Sequence, residues 1–351
     1  MCRFFRTISR LLLAMAGASI LTSAVHAAET TRPNVIFLLC DDLGYGDVGC
    51  FGQTKYRTPN IDRLAAEGIR MTVHYSGSAV CAPSRCALMT GKHPGHGFIR
   101  GNRQFRADSE GQWPLPADVV TLPRLLKSSG YTTGAFGKWG LGPPETTGDP
   151  LRQGIDRFFG YNCQAVAHNF YPTYLWDNGI KLPLKNPPFK SQQKLPVDAD
   201  PKSPASFAPY TGTEYSPDLI NEQARKFLRD NKDRPFFLYY PTTVPHLALQ
   251  VPEDSLREFE NQFADEPYLG DRGYLPHRAP RAAYAAMVTR LDREIGRLID
   301  LVDELRLAER TIIVFTSDNG PLYDKLGGTD TDFFRSAGDF RGRKGSLYEG
   351  G

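Results

Sequence analysis

Four short groups of polar residues each follow an apolar run, and their chemical types suit one another. Asp41-Asp42 follows NVIFLLC (34–40), and Gly137-Lys138-Trp139 follows YTTGAF (131–136). His246 follows PFFLYY (235–240) through Pro245, and Asp318-Asn319 follows TIIVFT (311–316) through Ser317. Asp41, Asp42, Asp318 and Asn319 together offer three carboxylates and an amide oxygen. Hard donors of that sort suit calcium or magnesium better than zinc. Singly, each group has a plain structural reading: a loop start or helix cap for Asp-Asp, a turn for Asp-Asn-Gly, a loop residue for His246. A fifth group, SAVCAPSRCALMTG (78–91), sets Cys81 four residues ahead of Arg85, with Pro83 and Ser84 suited to the start of a helix.

The elements that must position these groups follow from periodicity. Continuous apolar runs such as 34–40 have the form of strands buried on both faces of a mostly parallel sheet. Helices are expected from Pro59, with Thr58 as N-cap and Gly68 after the end, and over 122–129, closed by Gly130. Two more are expected over 218–229 and from about Arg281 to Leu305. Strands alternating with helices imply an α/β fold, a large mostly parallel sheet sandwiched by helices. Ligands of such sheets bind outside the carboxyl ends of the strands, so parallel strands would bring the four groups to one edge. Between about Tyr171 and Ser216 the chain is rich in Pro, Asn and Lys with little periodicity, which predicts a functional loop or lid.

The first 27 residues read as a signal peptide: Arg3, Arg6 and Arg10, then the apolar run 11–25, then small residues around Ala27. They imply an exported protein, periplasmic or secreted, with no stable membrane span. The formal charge of +3 equals those three arginines, so the remainder is near neutral and lacks the basic surplus of a nucleic-acid binder. Five cysteines remain, Cys40, Cys50, Cys81, Cys86 and Cys163; an odd count leaves one thiol unpaired, with no pairing assigned to the others.

The segment from Cys81 through Pro83-Ser84-Arg85 to Leu88-Met89-Thr90-Gly91 resembles the signature of the sulfatase family, C-x-P-S-R followed by L-x-T-G. The likeness runs from about Arg32 to the last residue, and Asn34 to Gly46 looks like the family's first strand with its metal-binding Asp pair. It implies an alkaline-phosphatase-like fold and a catalytic domain over 28–351. In that family the cysteine is oxidised to formylglycine by a formylglycine-generating or sulfatase-maturing enzyme, and the hydrated aldehyde attacks sulfur. By that likeness Asp41, Asp42, the residue made from Cys81, Asp318 and Asn319 would bind Ca2+. Arg85 would hold the hydrated aldehyde, Lys138 and Lys344 would contact the sulfate, and His246 would protonate the leaving oxygen or bind sulfate. Cationic donors fit the charge that builds on sulfuryl oxygens. The implied substrate is a sulfate ester, an aryl sulfate or a sulfated polysaccharide or oligosaccharide, with no nucleic acid.

Two departures stand out. The family usually reads G-K-W-H-L-G, whereas residues 137–142 read GKWGLG, with Gly140 in place of a second His; His168 either substitutes from another loop or shapes the pocket. The family also continues after E-G-G into a smaller C-terminal subdomain, absent from this chain, which reads as C-terminally truncated. Two alternatives stay open: a phosphoester or phosphonate hydrolase of the same superfamily, and an inactive binder of sulfated glycans.

Overall fold

A computed structural model describes residues 32–106 and 110–351; the expected signal peptide lies outside the described residues. The elements up to the first crossover are β1 (Asn34–Cys40), α1 (Pro59–Glu67), α2 (Cys81–Thr90), α3 (Leu122–Ser128) and β2 (Thr132–Lys138). Then come β3 (Arg157–Tyr161), β4 (Tyr174–Asp177), β5 (Ile180–Pro183), α4 (Ser216–Asn231) and β6 (Phe236–Pro241). Last are α5 (Glu253–Arg257), α6 (Pro280–Glu304) and β7 (Thr311–Ser317).

All seven strands form one sheet in the order β5-β4-β3-β2-β6-β1-β7. The five from β3 to β7 run parallel, and the β4–β5 hairpin adds two antiparallel strands at one edge. The unbroken apolar runs have the expected cause. Ile36, Leu38, Phe236, Leu238 and Tyr240 face a core shared with α4 and α6, while Leu39, Phe237 and Tyr239 face a second core shared with α2. Each such large side chain contributes about 1.5–3 kcal/mol by leaving water. Helices α4 and α6 are tied by the Arg290 guanidinium, which donates from Nε and Nη2 to Asp218 at 2.9 and 2.6 Å.

Several elements differ from expectation for identifiable reasons. The segment 171–216 is no open loop: it holds the β4–β5 hairpin and a 3-10 turn at Pro204–Tyr210, and buries Leu195, Phe207 and Tyr210 in a small core. Every residue of β5 is exposed, so it leaves no amphipathic trace in the sequence. Strand β3 carries only five residues, and β2 reaches Lys138 because the β3 ladder holds it through the pair Lys138↔Tyr161. Thr58 stands at the N-cap of α1, but its hydroxyl accepts from Gly49 N–H instead. The first-turn donors Asn60 and Ile61 N–H bond Asp292 of α6 at 3.0 and 2.8 Å. All five cysteines among the described residues are free thiols, so the four beyond the odd one do not pair. Cys40 and Cys86 instead serve as small apolar side chains, one in each core. Among the described residues no helix is long and apolar enough to cross a membrane.

Candidate active site

The carboxyl ends of β2, β6, β1 and β7 lie side by side, and the four polar groups converge there. Register does this: Cys40 pairs with Ser317, and Asp318 N–H donates to Cys40 C=O at 2.9 Å, so the turn after β1 lies against the turn after β7. Asp42 has φ 64°, a left-handed conformation that Asp adopts more readily than most residues. Its backbone N–H donates to Asp318 Oδ1 at 3.2 Å, and Asn319 Nδ2 donates to Asp42 Oδ1 at 2.6 Å.

Helix α2 delivers two more groups. Cys81 is its first residue, and Ala82 N–H donates to Asn102 Oδ1 at 2.9 Å. One turn on, Arg85 is fully buried and donates to Asp318 Oδ2 from Nε at 3.0 Å and Nη2 at 2.8 Å, and to Lys138 C=O from Nη1 at 2.7 Å. Lys138 Nζ donates to Asp41 Oδ2 at 2.6 Å. Lys344 arrives from the far end of the chain, held by Lys344 N–H on Pro321 C=O at 2.9 Å and Gly345 N–H on Ala79 C=O at 2.7 Å. The Cys81 thiol lies 3.7 Å from Asp41 Oδ1 and 3.3 Å from Lys344 Nζ. His246 Nδ1 donates to Leu247 C=O at 2.7 Å, which leaves Nε2, 3.3 Å from Asp42 Oδ2, as the exchanging atom.

Thus Asp41, Asp42, Cys81, Arg85, Lys138, His246, Asp318, Asn319 and Lys344 share one buried cluster, with Lys344 the most accessible at 8 %. Three cations face three carboxylates out of water, so protonation is finely poised. Burial pushes Asp41 up, but the Lys138 charge, with those of Arg85 and Lys344, outweighs it and holds the group well below the carboxylate range. Burial wins at Asp42, which is raised, and at Asp318, which burial and the Asp41 charge push up to about 7 despite Arg85. Burial also keeps His246 neutral and drives the Cys81 thiol up to about 12, where an unmodified sulfur is a poor nucleophile.

The donors fit a hard divalent cation. One ligand atom each from Asp41, Asp42, Cys81 and His246 lies within 4.8 Å of the others, and Asn319 Oδ1 is buried with no hydrogen-bond partner. An orphaned amide oxygen beside carboxylates with raised pKa values gains by meeting a cation. Asp318 is less free than expected, since the Arg85 fork occupies Oδ2 and Asp42 N–H meets Oδ1.

The second imidazole comes from outside the strand ends. His168 stacks on His246 with ring centroids 4.4 Å apart and planes at 6°, and burial above all lowers its pKa to about 2. Tyr274 closes the group edge-on, 5.5 Å from His168 and 6.1 Å from His246. Tyr274 and Asn102 escaped sequence reasoning: Gly101-Asn102 reads as a turn, and an isolated Tyr in a Gly-rich loop carries no pattern.

A mostly parallel α/β sheet with a buried, oxygen-rich cluster at its carboxyl edge defines the class, and likeness to known proteins gives the family. Residues 33–351 match the sulfatase family, and the chain belongs to it. It is 32 % identical to mouse steryl-sulfatase over 91 % of this chain and 56 % of that protein. It is 30 % identical to the N-acetylgalactosamine-6-O-sulfatase of Bacteroides thetaiotaomicron, over 99 % of this chain and 72 % of that protein. The crystal structure of Ps i-CgsB in complex with k-i-k-neocarrahexaose superposes with a TM-score of 0.71 at 28 % identity, covering 92 % of this chain and 64 % of that one. The chain thus spans little more than half the length of some relatives it matches.

Proposed function

We propose that the protein, an exported catalytic domain over 28–351, hydrolyses sulfate esters with formylglycine made from Cys81 as nucleophile and Ca2+ as cofactor. The observation that carries this reading is the place of Cys81: a buried, inert thiol between the Asp41 carboxylate and the Lys344 ammonium, at the rim of an oxygen-rich donor set. Asp41, Asp42, Asp318 and Asn319 would hold the calcium, together with the residue at 81. When bound, calcium and the hydrated aldehyde supply an acidified, aimed nucleophile and draw charge from the sulfuryl oxygens.

The chain's own residues do the rest. Arg85, locked by Asp318 and Lys138 C=O, fixes the first turn of α2 and so the position of residue 81. Lys138 and Lys344 set preorganised positive charge where negative charge grows on the sulfuryl group. His246, with Nδ1 committed to Leu247, exchanges a proton with the leaving oxygen through Nε2. An anionic ester beside that ring favours its charged form and opposes the effect of burial. A sulfated sugar is the substrate class, supported by likeness to a protein named for N-acetylgalactosamine 6-O-sulfate chemistry and to one solved with a neocarrahexaose.

The test is mass spectrometry of the peptide holding residue 81, from a host with the converting machinery, alongside hydrolysis of an aryl sulfate and an aryl phosphate by that preparation. A peptide lighter by the thiol-to-aldehyde change, with aryl sulfate preferred, is expected. An intact thiol with no turnover, or a preference for phosphate, refutes the reading.

A further inference from the structure

The Nδ1 bond from His246 to Leu247 C=O fixes which nitrogen of that ring exchanges, with Nε2 3.3 Å from Asp42 Oδ2. The torsion that turns an imidazole about its Cβ–Cγ bond has broad minima, so the plane of the ring is set by what packs on its faces. His168 covers one face, nearly parallel at 6° with ring centroids 4.4 Å apart. Tyr274 stands across both rings, at 64° to His168 and 70° to His246, where it blocks a common tilt.

Backbone on every side holds this stack. Ala248 N–H donates to His168 C=O at 3.3 Å, and Phe170 N–H donates to Gln250 Oε1 at 2.8 Å. The 3-10 turn Val166–His168 is thereby laced to the segment that carries His246. Tyr161 OH adds a bond to Asn169 C=O at 2.8 Å. Tyr274 is pinned in turn, its N–H donating to Gln192 Oε1 at 2.6 Å and its C=O accepting from Gln193 N–H at 3.1 Å. Among the described residues neither ring nitrogen of His168 is hydrogen-bonded, so this imidazole acts through its face.

We propose that His168 is a positioning residue for His246: its stacked ring fixes the plane of the His246 imidazole, and so the direction in which Nε2 meets the leaving oxygen. This rests on the sulfate-ester reading above. As the S–O bond breaks, its electron pair stays on the leaving oxygen and Nε2–H supplies the proton. That transfer needs the N–H aligned with the oxygen, and a ring turned about Cβ–Cγ swings it off the line. Alignment matters most for an alcohol that leaves poorly. A good leaving group departs as its anion and needs the proton little.

The test uses the protein with residue 81 converted and calcium present, and two substrates, phenyl sulfate and 4-nitrophenyl sulfate, whose leaving groups differ in acidity. His168→Ala is expected to lower kcat on phenyl sulfate on the order of ten- to a hundredfold, with KM changed less than about threefold. The loss on 4-nitrophenyl sulfate should be about tenfold smaller. The ratio of the two losses within one preparation cancels any difference in folded or converted fraction. His168→Phe, which keeps a flat ring for the stack and has no nitrogen, should restore most of the phenyl sulfate rate. Equal losses on the two substrates, or a Phe variant as poor as the Ala variant, overturn the proposal and leave the sulfatase reading standing. A wild type that hydrolyses neither substrate overturns both.

Discussion

Lys344 and Cys81 lie 263 residues apart in the chain, yet the ammonium Nζ stands 3.3 Å from the thiol Sγ. The same Nζ is 2.7 Å from Asp42, and burial, which would discharge it, is outweighed by that carboxylate first of all, so Lys344 stays charged. A permanent cation touching Cys81 makes the segment around Lys344 part of the buried cluster.

Lys344→Met is accordingly expected to lower aryl sulfate kcat/KM by about 10²–10³ while residue 81 is still converted. Lys344→Arg should recover little, because the larger planar guanidinium does not fit a pocket shaped for a compact ammonium. Initial-rate kinetics on matched preparations decide it, and near-normal rates in Lys344→Met would remove this lysine from the mechanism.

Arg85 is a structural pivot as well as a neighbour of residue 81. Arg85→Met leaves Asp318 buried without its fork, which should cost about 3–5 kcal/mol in urea unfolding above neutral pH with chelator present. Asp318→Asn in the same chain should return part of that loss, since the uncompensated charge disappears. A double-mutant cycle with no coupling energy would contradict the ion pair.

Calcium should stabilise the folded chain by mass action, about 2.7 kcal/mol at a hundredfold excess over Kd. Asn319→Ala removes the orphaned oxygen and should shrink that gain. Calorimetric unfolding with calcium and with chelator reads both, and identical Tm values in the two buffers would argue against the metal site.

His277 is not one of the cluster residues, and its Nδ1 accepts from Ala279 N–H at 3.0 Å. Burial, with Arg278 nearby, lowers its pKa from 6.5 to about 4. Between those values the folded chain binds fewer protons than the unfolded one, so stability falls as pH falls through that window, by at most about 3 kcal/mol. His277→Asn keeps an acceptor but does not titrate, and should flatten the slope in denaturation series between pH 6.5 and 4. An unchanged slope would mean that His277 titrates normally.

Much of the sheet was legible because parallel strands buried on both faces must be apolar without interruption, as 34–40 and 235–240 are. The β4–β5 hairpin was not, because an edge strand wet on both sides carries no period to read. Thr58 shows the same limit at a helix end: residue type marked the N-cap position, but Asp292 took the donors from across the fold.

Residue types and their order along the chain determined by themselves what chemistry was possible: hard oxygens, two lysines, one histidine and a cysteine in a known signature. They did so because a polar residue at the end of a buried strand stands out against its surroundings. Tertiary structure alone decided which atoms meet. The Cys40–Ser317 register set Asp41 beside Asp318, one backbone bond from Gly345 to Ala79 brought Lys344 to the thiol, and another from Ala248 to His168 laid one imidazole on the other. Such meetings depend on register and packing across hundreds of residues, and neither leaves a local trace in sequence.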